Sequence, residues 1–109
     1  WGNEADALNT NIRGKGDIYR YTNQVGTIPE NVSPYGVMDL AGNVWEWTEN
    51  WYQPHPGNQY ENDLYGEQFK VIKGGSWNSN LDLARGSVRG KSLPSQKKNY
   101  IGFRCVAAN

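Results

Sequence analysis

Two acidic residues flank a glycine turn in the densest apolar stretch of the chain. Asp39 and Glu46 lie seven residues apart, with Gly42 between them. A turn that bends back on itself combines two carboxylates with intervening backbone carbonyls, an oxygen-rich set that suits hard cations such as Ca²⁺. A second interpretation is that Asp39 caps a turn and Glu46 pairs with an arginine. The residues alone leave both open, and the second is the commoner case.

Other reactive side chains are sparse, because the chain has one histidine and one cysteine. His55 lies between two prolines, without the second His or Cys of a transition-metal site or catalytic dyad, so we expect it in solvent. Cys105 cannot form an internal disulfide. It is either a buried thiol or half of a bridge to a segment outside these residues.

Composition excludes several classes of function. Lys plus Arg and Asp plus Glu balance at 11 each, so the positive charge that a nucleic-acid partner requires is missing. No apolar run has the length of a membrane span, about 18 residues. With 13 Gly and 5 Pro beside 5 Trp and 7 Tyr, the 109 residues predict one irregular globular unit with an aromatic core under long loops.

The pattern of turn residues predicts few regular elements. Segments 1–22 and 52–67 are rich in Gly, Asn, Asp and Pro and are typical of structured loops, while 24–34 should run extended along the surface. Alternation predicts a strand at 45–47 and another at 69–73, with further strands at 84–89 and 100–107. Gly74 and Gly75 lack the context of a phosphate loop and indicate positive φ or a close backbone approach. Short strands joined by glycine turns favour a small antiparallel sheet.

Three segments in order resemble the formylglycine-generating-enzyme, or sulfatase-modifying-factor, family. They are residues 35–48 (YGVMDLAGNVWEWT), 71–77 (VIKGGSW) and 101–106 (IGFRCV), and the opening WGN adds to them. The resemblance implies an irregular α+β fold with C-type-lectin-like topology, a small antiparallel sheet and many loops. It also implies that residues 1–109 are the C-terminal part of a single domain, whose other half is an N-terminal segment or partner chain.

The same resemblance implies two calcium sites. In the first, Asp39 and Glu46 give side-chain oxygens while Gly42 and Val44 give carbonyls. A second set aligns less sharply: Asn11 and Asp17 would give side-chain oxygens, and Ile12 and Tyr19 would give backbone carbonyls. An Asx-turn in a glycine-rich loop is an equal alternative for Asp17.

Catalytic members of that family use two cysteines to bind copper, since soft thiolates suit Cu(I). Aligning the segments puts Ala84 and Arg89 at those positions, and Cys105 falls where some members have a structural disulfide. We therefore expect no formylglycine generation.

Three functions remain for such a chain. One is a non-catalytic binding or scaffold module, of the kind found in bacterial surface and secretion-associated lipoproteins and in kinase-linked proteins. Another is the C-terminal domain of an oxidoreductase such as an ergothioneine-type sulfoxide synthase. A lectin-like binder of a protein or glycan ligand rests on fold analogy alone. The favoured location is extracytoplasmic or secreted rather than cytoplasmic.

Overall fold

A computed structural model of the chain describes residues 6, 9–14 and 19–107. Regular structure occupies a small part of them, and the rest are turns and loops. The elements are strand β1 (Trp45–Trp51), strand β2 (Lys70–Lys73), a 3₁₀ helix (Leu81–Ala84), strand β3 (Gly90–Ser92) and strand β4 (Ile101–Gly102).

The strands form one sheet in the order β3-β2-β1-β4. Strands β1 and β2 pair antiparallel, with Trp47 opposite Ile72 and an irregularity before Trp51, and β2 pairs antiparallel with β3. Strand β4 lies parallel to β1, with Trp45 opposite Ile101. The predicted antiparallel sheet is therefore confirmed for β1, β2 and β3 and wrong at the β4 edge. Strand β3 runs in the same direction as β1, so the connection 93–100 has to return along the length of the sheet before β4 begins, which is the crossover that a parallel pair requires.

Two of the four predicted strands are confirmed, because β1 begins at Trp45 and β2 covers Lys70–Lys73. The strand predicted at 84–89 is wrong. The 3₁₀ helix ends at Ala84, and hydrogen bonds from Arg85 N to Asp82 O and from Val88 N to Arg85 O fold this segment into turns. The strand predicted at 100–107 is reduced to Ile101–Gly102.

The buried core is small and rich in polar groups. Its apolar members are Ile12, Ile28, Trp45, Val71 and Ile72. Of the four tryptophans that the structure describes, Trp45 is buried, and Trp47, Trp51 and Trp77 are half-buried. The expected aromatic core is therefore only partly present. Ile28 and Asn31 are also buried, so the surface path predicted for 24–34 is wrong at these residues.

Gly74 and Gly75 confirm the prediction of positive φ and close backbone passage. Their φ angles are 98° and 71°. A Cβ on Gly74 would lie 2.6 Å from the carbonyl oxygen of Leu40. This contact brings the end of β2 against the loop that carries Asp39.

Candidate cation site

The backbone between β1 and the preceding loop is turned sharply at three residues. Asp39, Gly42 and Asn43 all have left-handed φ angles, of 58°, 75° and 64°. Asp and Asn visit this region more readily than other side chains, but the conformation still costs about 1 kcal/mol or more each. Observed strain of this kind is concentrated at binding sites, where the surrounding structure enforces it.

Buried polar groups hold this loop in place. Gly42 N donates to Gly74 O at 2.7 Å, and Asn43 N donates to Asn11 O at 2.8 Å. The side-chain amide of Asn31 donates to Ala41 O at 2.7 Å, and the hydroxyl of Thr10 donates to the same carbonyl. The loop is thus anchored from three other segments of the chain.

Asp39 is the most confined ionisable group of the site, with 6% of its surface exposed. Its Oδ2 accepts a hydrogen bond from Gly26 N at 2.7 Å. Its Oδ1 is buried and has no hydrogen-bond partner among the described residues. An unsatisfied buried acceptor costs about 1–3 kcal/mol, and more when it is charged. A cation bound at this oxygen would remove that cost.

Glu46 is held by Arg104, as the alternative interpretation of the sequence expected. Arg104 Nε lies 2.9 Å from both carboxylate oxygens, and its Nη2 lies 2.5 Å from Oε1. The same guanidinium donates to Met38 O at 2.8 Å and to Asp39 O at 3.1 Å. Arg104 therefore fixes Glu46 and the Asp39 backbone relative to each other.

The four residues implied as the first calcium set come together in the structure. Asp39, Gly42, Val44 and Glu46 line one cavity of about 390 Å³, with Arg104 at its wall. Within the described ranges, no three His, Cys, Asp or Glu side chains converge. Any cation here would depend on two carboxylates together with backbone carbonyls, the donor chemistry that suits Ca²⁺ rather than a transition metal.

The second implied set is only partly described. Asn11 is 1% exposed and Ile12 is 2% exposed, whereas Asp17 lies outside the described residues and Tyr19 is half-buried. The amide of Asn11 donates to Tyr21 O at 2.8 Å and to Asn23 Oδ1 at 3.1 Å, while its Oδ1 is buried without a partner among the described residues.

Asn11 joins this second set to the first. Its amide lies 3.4 Å from Asn43 Oδ1, and its carbonyl accepts from Asn43 N. The two candidate sites are therefore neighbours in one hydrogen-bonded network. A substitution at either site should change the geometry and the cation affinity of the other.

The residues at the aligned copper positions have ordinary structural surroundings. Ala84 packs against Gly75, where an added Cβ would lie 3.4 Å from Ala84 N. Arg89 donates to Gln53 O at 2.6 Å, and its guanidinium carbon lies 4.7 Å from the Tyr52 ring centroid. Cys105 is exposed, so the buried-thiol alternative is wrong, and a bridge to another segment stays a prediction. His55 is exposed, as expected.

Sequence reasoning gave no role to Arg104, Gly26 or Asn43. Arg104 lies within the segment 101–106 that carried the resemblance, and it is the cation that the alternative interpretation of Glu46 required. Gly26 acts through its backbone N–H, and Asn43 acts through its backbone and through side-chain hydrogen bonds to Asn11 and Asn23, contacts between separate loops that no local sequence pattern predicts.

Fold and site together define an irregular α+β module with a carboxylate-and-carbonyl loop beside a small mixed sheet. Comparison with known proteins identifies its family. The profile of the sulfatase-modifying factor enzyme 1-like domain matches residues 1–109. An inactive Cα-formylglycine-generating enzyme 2 from Mus musculus is 34% identical over 121 residues, covering 99% of this chain and 36% of the relative.

A second relative and a solved structure also resemble the chain. Hercynine oxygenase from Mycobacterium tuberculosis is 31% identical over 86 residues, covering 73% of this chain and 20% of that protein. The structure of PvdO from Pseudomonas aeruginosa superposes with a TM-score of 0.73 at 27% identity, covering 94% of this chain and 40% of that one. The chain belongs to the formylglycine-generating-enzyme, or sulfatase-modifying-factor, family and has its irregular α+β fold.

The chain spans about a third of the length of the mouse relative and a fifth of hercynine oxygenase. Among the residues that the structure describes, no helix is long and apolar enough to cross a membrane.

Proposed function

We propose that this chain is a calcium-binding, non-catalytic module of its family, serving as a binding or scaffold unit. The observation that carries the proposal is the buried Oδ1 of Asp39, which has no partner among the described residues and belongs to a group that lines the same cavity as Glu46. A hard cation is the partner that such an oxygen lacks.

In this proposal the calcium ion takes oxygens from Asp39 and Glu46 and from the carbonyls of Gly42 and Val44. Ca²⁺ takes 6–8 oxygens in proteins, so water or a ligand would complete the set. The contribution of calcium is structural, since it neutralises Asp39 and holds the strained loop. Arg104 keeps the Glu46 carboxylate oriented and reduces the net charge of the Asp39–Glu46–Arg104 group to −1.

The non-catalytic part of the proposal rests on the aligned copper positions. Neither Ala84 nor Arg89 has a thiolate, and Arg89 is engaged with Gln53 and Tyr52. The chain has a single cysteine, so it cannot supply a thiolate pair of its own. The mouse relative, which covers nearly the whole chain, is itself named inactive.

The match to hercynine oxygenase favours a second candidate, the C-terminal part of an oxidoreductase. With one histidine in the chain, histidine ligands for iron would have to come from another part of such a protein. The full-length reading frame distinguishes the two candidates, because a histidine-rich upstream domain would favour the oxidoreductase.

Thermal unfolding of the chain in excess CaCl₂ and in EGTA tests the calcium proposal. A site occupied only in the folded state adds about 2.7 kcal/mol at about 100 times its Kd, so the Tm should rise with calcium. Glu46→Gln should reduce this rise, whereas Glu49→Gln, at an exposed position of the same strand, should retain it. The proposal would be refuted if calcium left the Tm of the wild type unchanged, or if the two variants lost the same share of the calcium-dependent rise in Tm.

A further inference from the structure

A second cavity, of about 500 Å³, lies on the other part of the sheet, between the loop that follows β1 and the turn before β3. We call it the β1–β3 groove. Its apolar walls are formed by Trp51, Pro54, Pro56 and Val71, and its cationic groups are Lys73 and Arg89. None of the residues discussed above as calcium ligands lines it.

The strand register places the two cations against each other. Strands β2 and β3 pair Val71 with Lys91 and Ile72 with Gly90. Continuing this antiparallel register by one residue puts Arg89 opposite Lys73, on the face of the sheet that Val71 shares. Like charges directly opposite each other on adjacent strands are destabilising.

Among the described residues, no carboxylate forms an ion pair with Lys73 or Arg89. The ion pairs of Arg85 with Asp82 and of Arg104 with Glu46 do not involve the groove. Lys73 donates to Gly86 O, and Arg89 donates to Gln53 O at 2.6 Å. Both cations therefore donate their hydrogen bonds to neutral carbonyl oxygens. Burial, and then the charge of Arg89, lower the pKa of Lys73 from its ordinary value.

Both cations keep donors free for a ligand. A lysine ammonium has three N–H donors and an arginine guanidinium five, and the contacts above use one of each. The guanidinium carbon of Arg89 also lies 4.7 Å from the centroid of the Tyr52 ring, a cation–π contact that limits the rotamer freedom that the side chain must lose on binding. Two converging cations beside a tryptophan and two prolines suit an anionic group attached to an apolar body.

We propose that the β1–β3 groove binds a small organic oxyanion, with its charged group between Lys73 and Arg89 and its apolar part against Trp51 and the prolines. The arginine fork matches a carboxylate with two parallel N–H···O bonds, and the lysine adds a point charge. The anion removes the repulsion across the strands and stabilises the β2–β3 pairing. This site is independent of calcium and of the loop 39–46.

The test is a titration of the whole chain with benzoate, acetate and inorganic phosphate at constant ionic strength, followed by tryptophan fluorescence. Benzoate should give a saturable change and bind more tightly than acetate, because the groove walls contact its ring. Lys73→Met should weaken benzoate binding by about tenfold or more, and Arg89→Gln likewise. Lys97→Met, which removes an exposed lysine outside the groove, should leave the Kd for benzoate within about twofold of the wild-type value.

Circular dichroism and the Tm of each variant show whether it remains folded. If Arg89→Gln unfolds, the comparison of Lys73→Met with Lys97→Met still tests the proposal. Absence of saturation with benzoate in wild type, or equal weakening in Lys73→Met and Lys97→Met, would overturn the proposal. Tighter binding of phosphate than of benzoate would overturn its organic part, since it would show a site for inorganic anions.

Discussion

Arg104 clamps Glu46 through N–H···O contacts to both carboxylate oxygens, although the two residues lie 58 positions apart in the chain. The same side chain reaches the carbonyls of Met38 and Asp39. One arginine just beyond β4 therefore connects the end of the chain to the first strand and to the loop that contains the candidate cation site. The clamp makes the geometry of that site depend on the parallel β1–β4 pairing.

The clamp should be measurable as a coupling energy. Arg104→Gln and Glu46→Gln, alone and together, form a double-mutant cycle by urea unfolding. We expect a coupling of about 1 kcal/mol, because the pair is partly buried, with 36% of the arginine and 19% of the glutamate side chain exposed. Strict additivity of the two single changes would show that the contacts do not stabilise the fold. The exposed pair Arg85 and Asp82 is the matched control and should couple more weakly.

The turn at Gly42 should tolerate no side chain. A Cβ there would collide with the Thr10 hydroxyl and lie 2.6 Å from Asn11 O, at a φ of 75°. Gly42→Ala should therefore cost roughly 2 kcal/mol or more, as left-handed strain and overpacking each cost about 1–3 kcal/mol. Gly57→Ala has a similar φ of 85° but no atom within 4 Å, so it should cost only about 1 kcal/mol. Equal losses in the two variants would show that the close contact with residues 10 and 11 is unimportant.

The chain should not retain copper tightly or oxidise a cysteine-containing peptide. Ala84 and Arg89 supply no thiolate, and the exposed Cys105 is a single ligand where Cu(I) requires several soft donors. Metal analysis after dialysis against Cu(I), and mass spectrometry of a sulfatase-type peptide, are the measurements. Cys105→Ser is the control for adventitious binding at the exposed thiol. Stoichiometric copper in that variant, or conversion of the peptide thiol to an aldehyde, would contradict the account.

The sequence predicted the family, the first two strands and the grouping of Asp39 with Glu46, since each depends on local patterns. The strand predicted at 84–89 failed because the intervening Arg85 and Val88 backbone groups form turns instead of ladder bonds. Parallel pairing of β4 with β1 was not predictable from local alternation, since it is a choice between distant segments. Non-local pairing of this kind leaves no period in the sequence.

The candidate site shows the same division. Carboxylates and a glycine turn are visible as residue types, whereas the left-handed φ of Asp39 and the reach of Arg104 depend on how separate loops pack. The neighbourhood of Asn11 and Asn43, which joins the two implied calcium sets, likewise comes from contact between segments 32 residues apart. Residue type indicated the donors, and tertiary packing selected which of them meet.

The most direct test of calcium binding at Asp39 is isothermal titration of the chain with CaCl₂, in wild type and in Asp39→Asn. Asparagine tolerates the left-handed φ and retains an oxygen for the Gly26 N–H, so the variant removes charge with little other change. The account predicts that wild type binds calcium and that Asp39→Asn binds it more weakly because the negative charge is lost, while Asp82→Asn, at an exposed carboxylate, keeps the wild-type affinity. No calcium heat in wild type, or the same stoichiometry and affinity in Asp39→Asn, would contradict it.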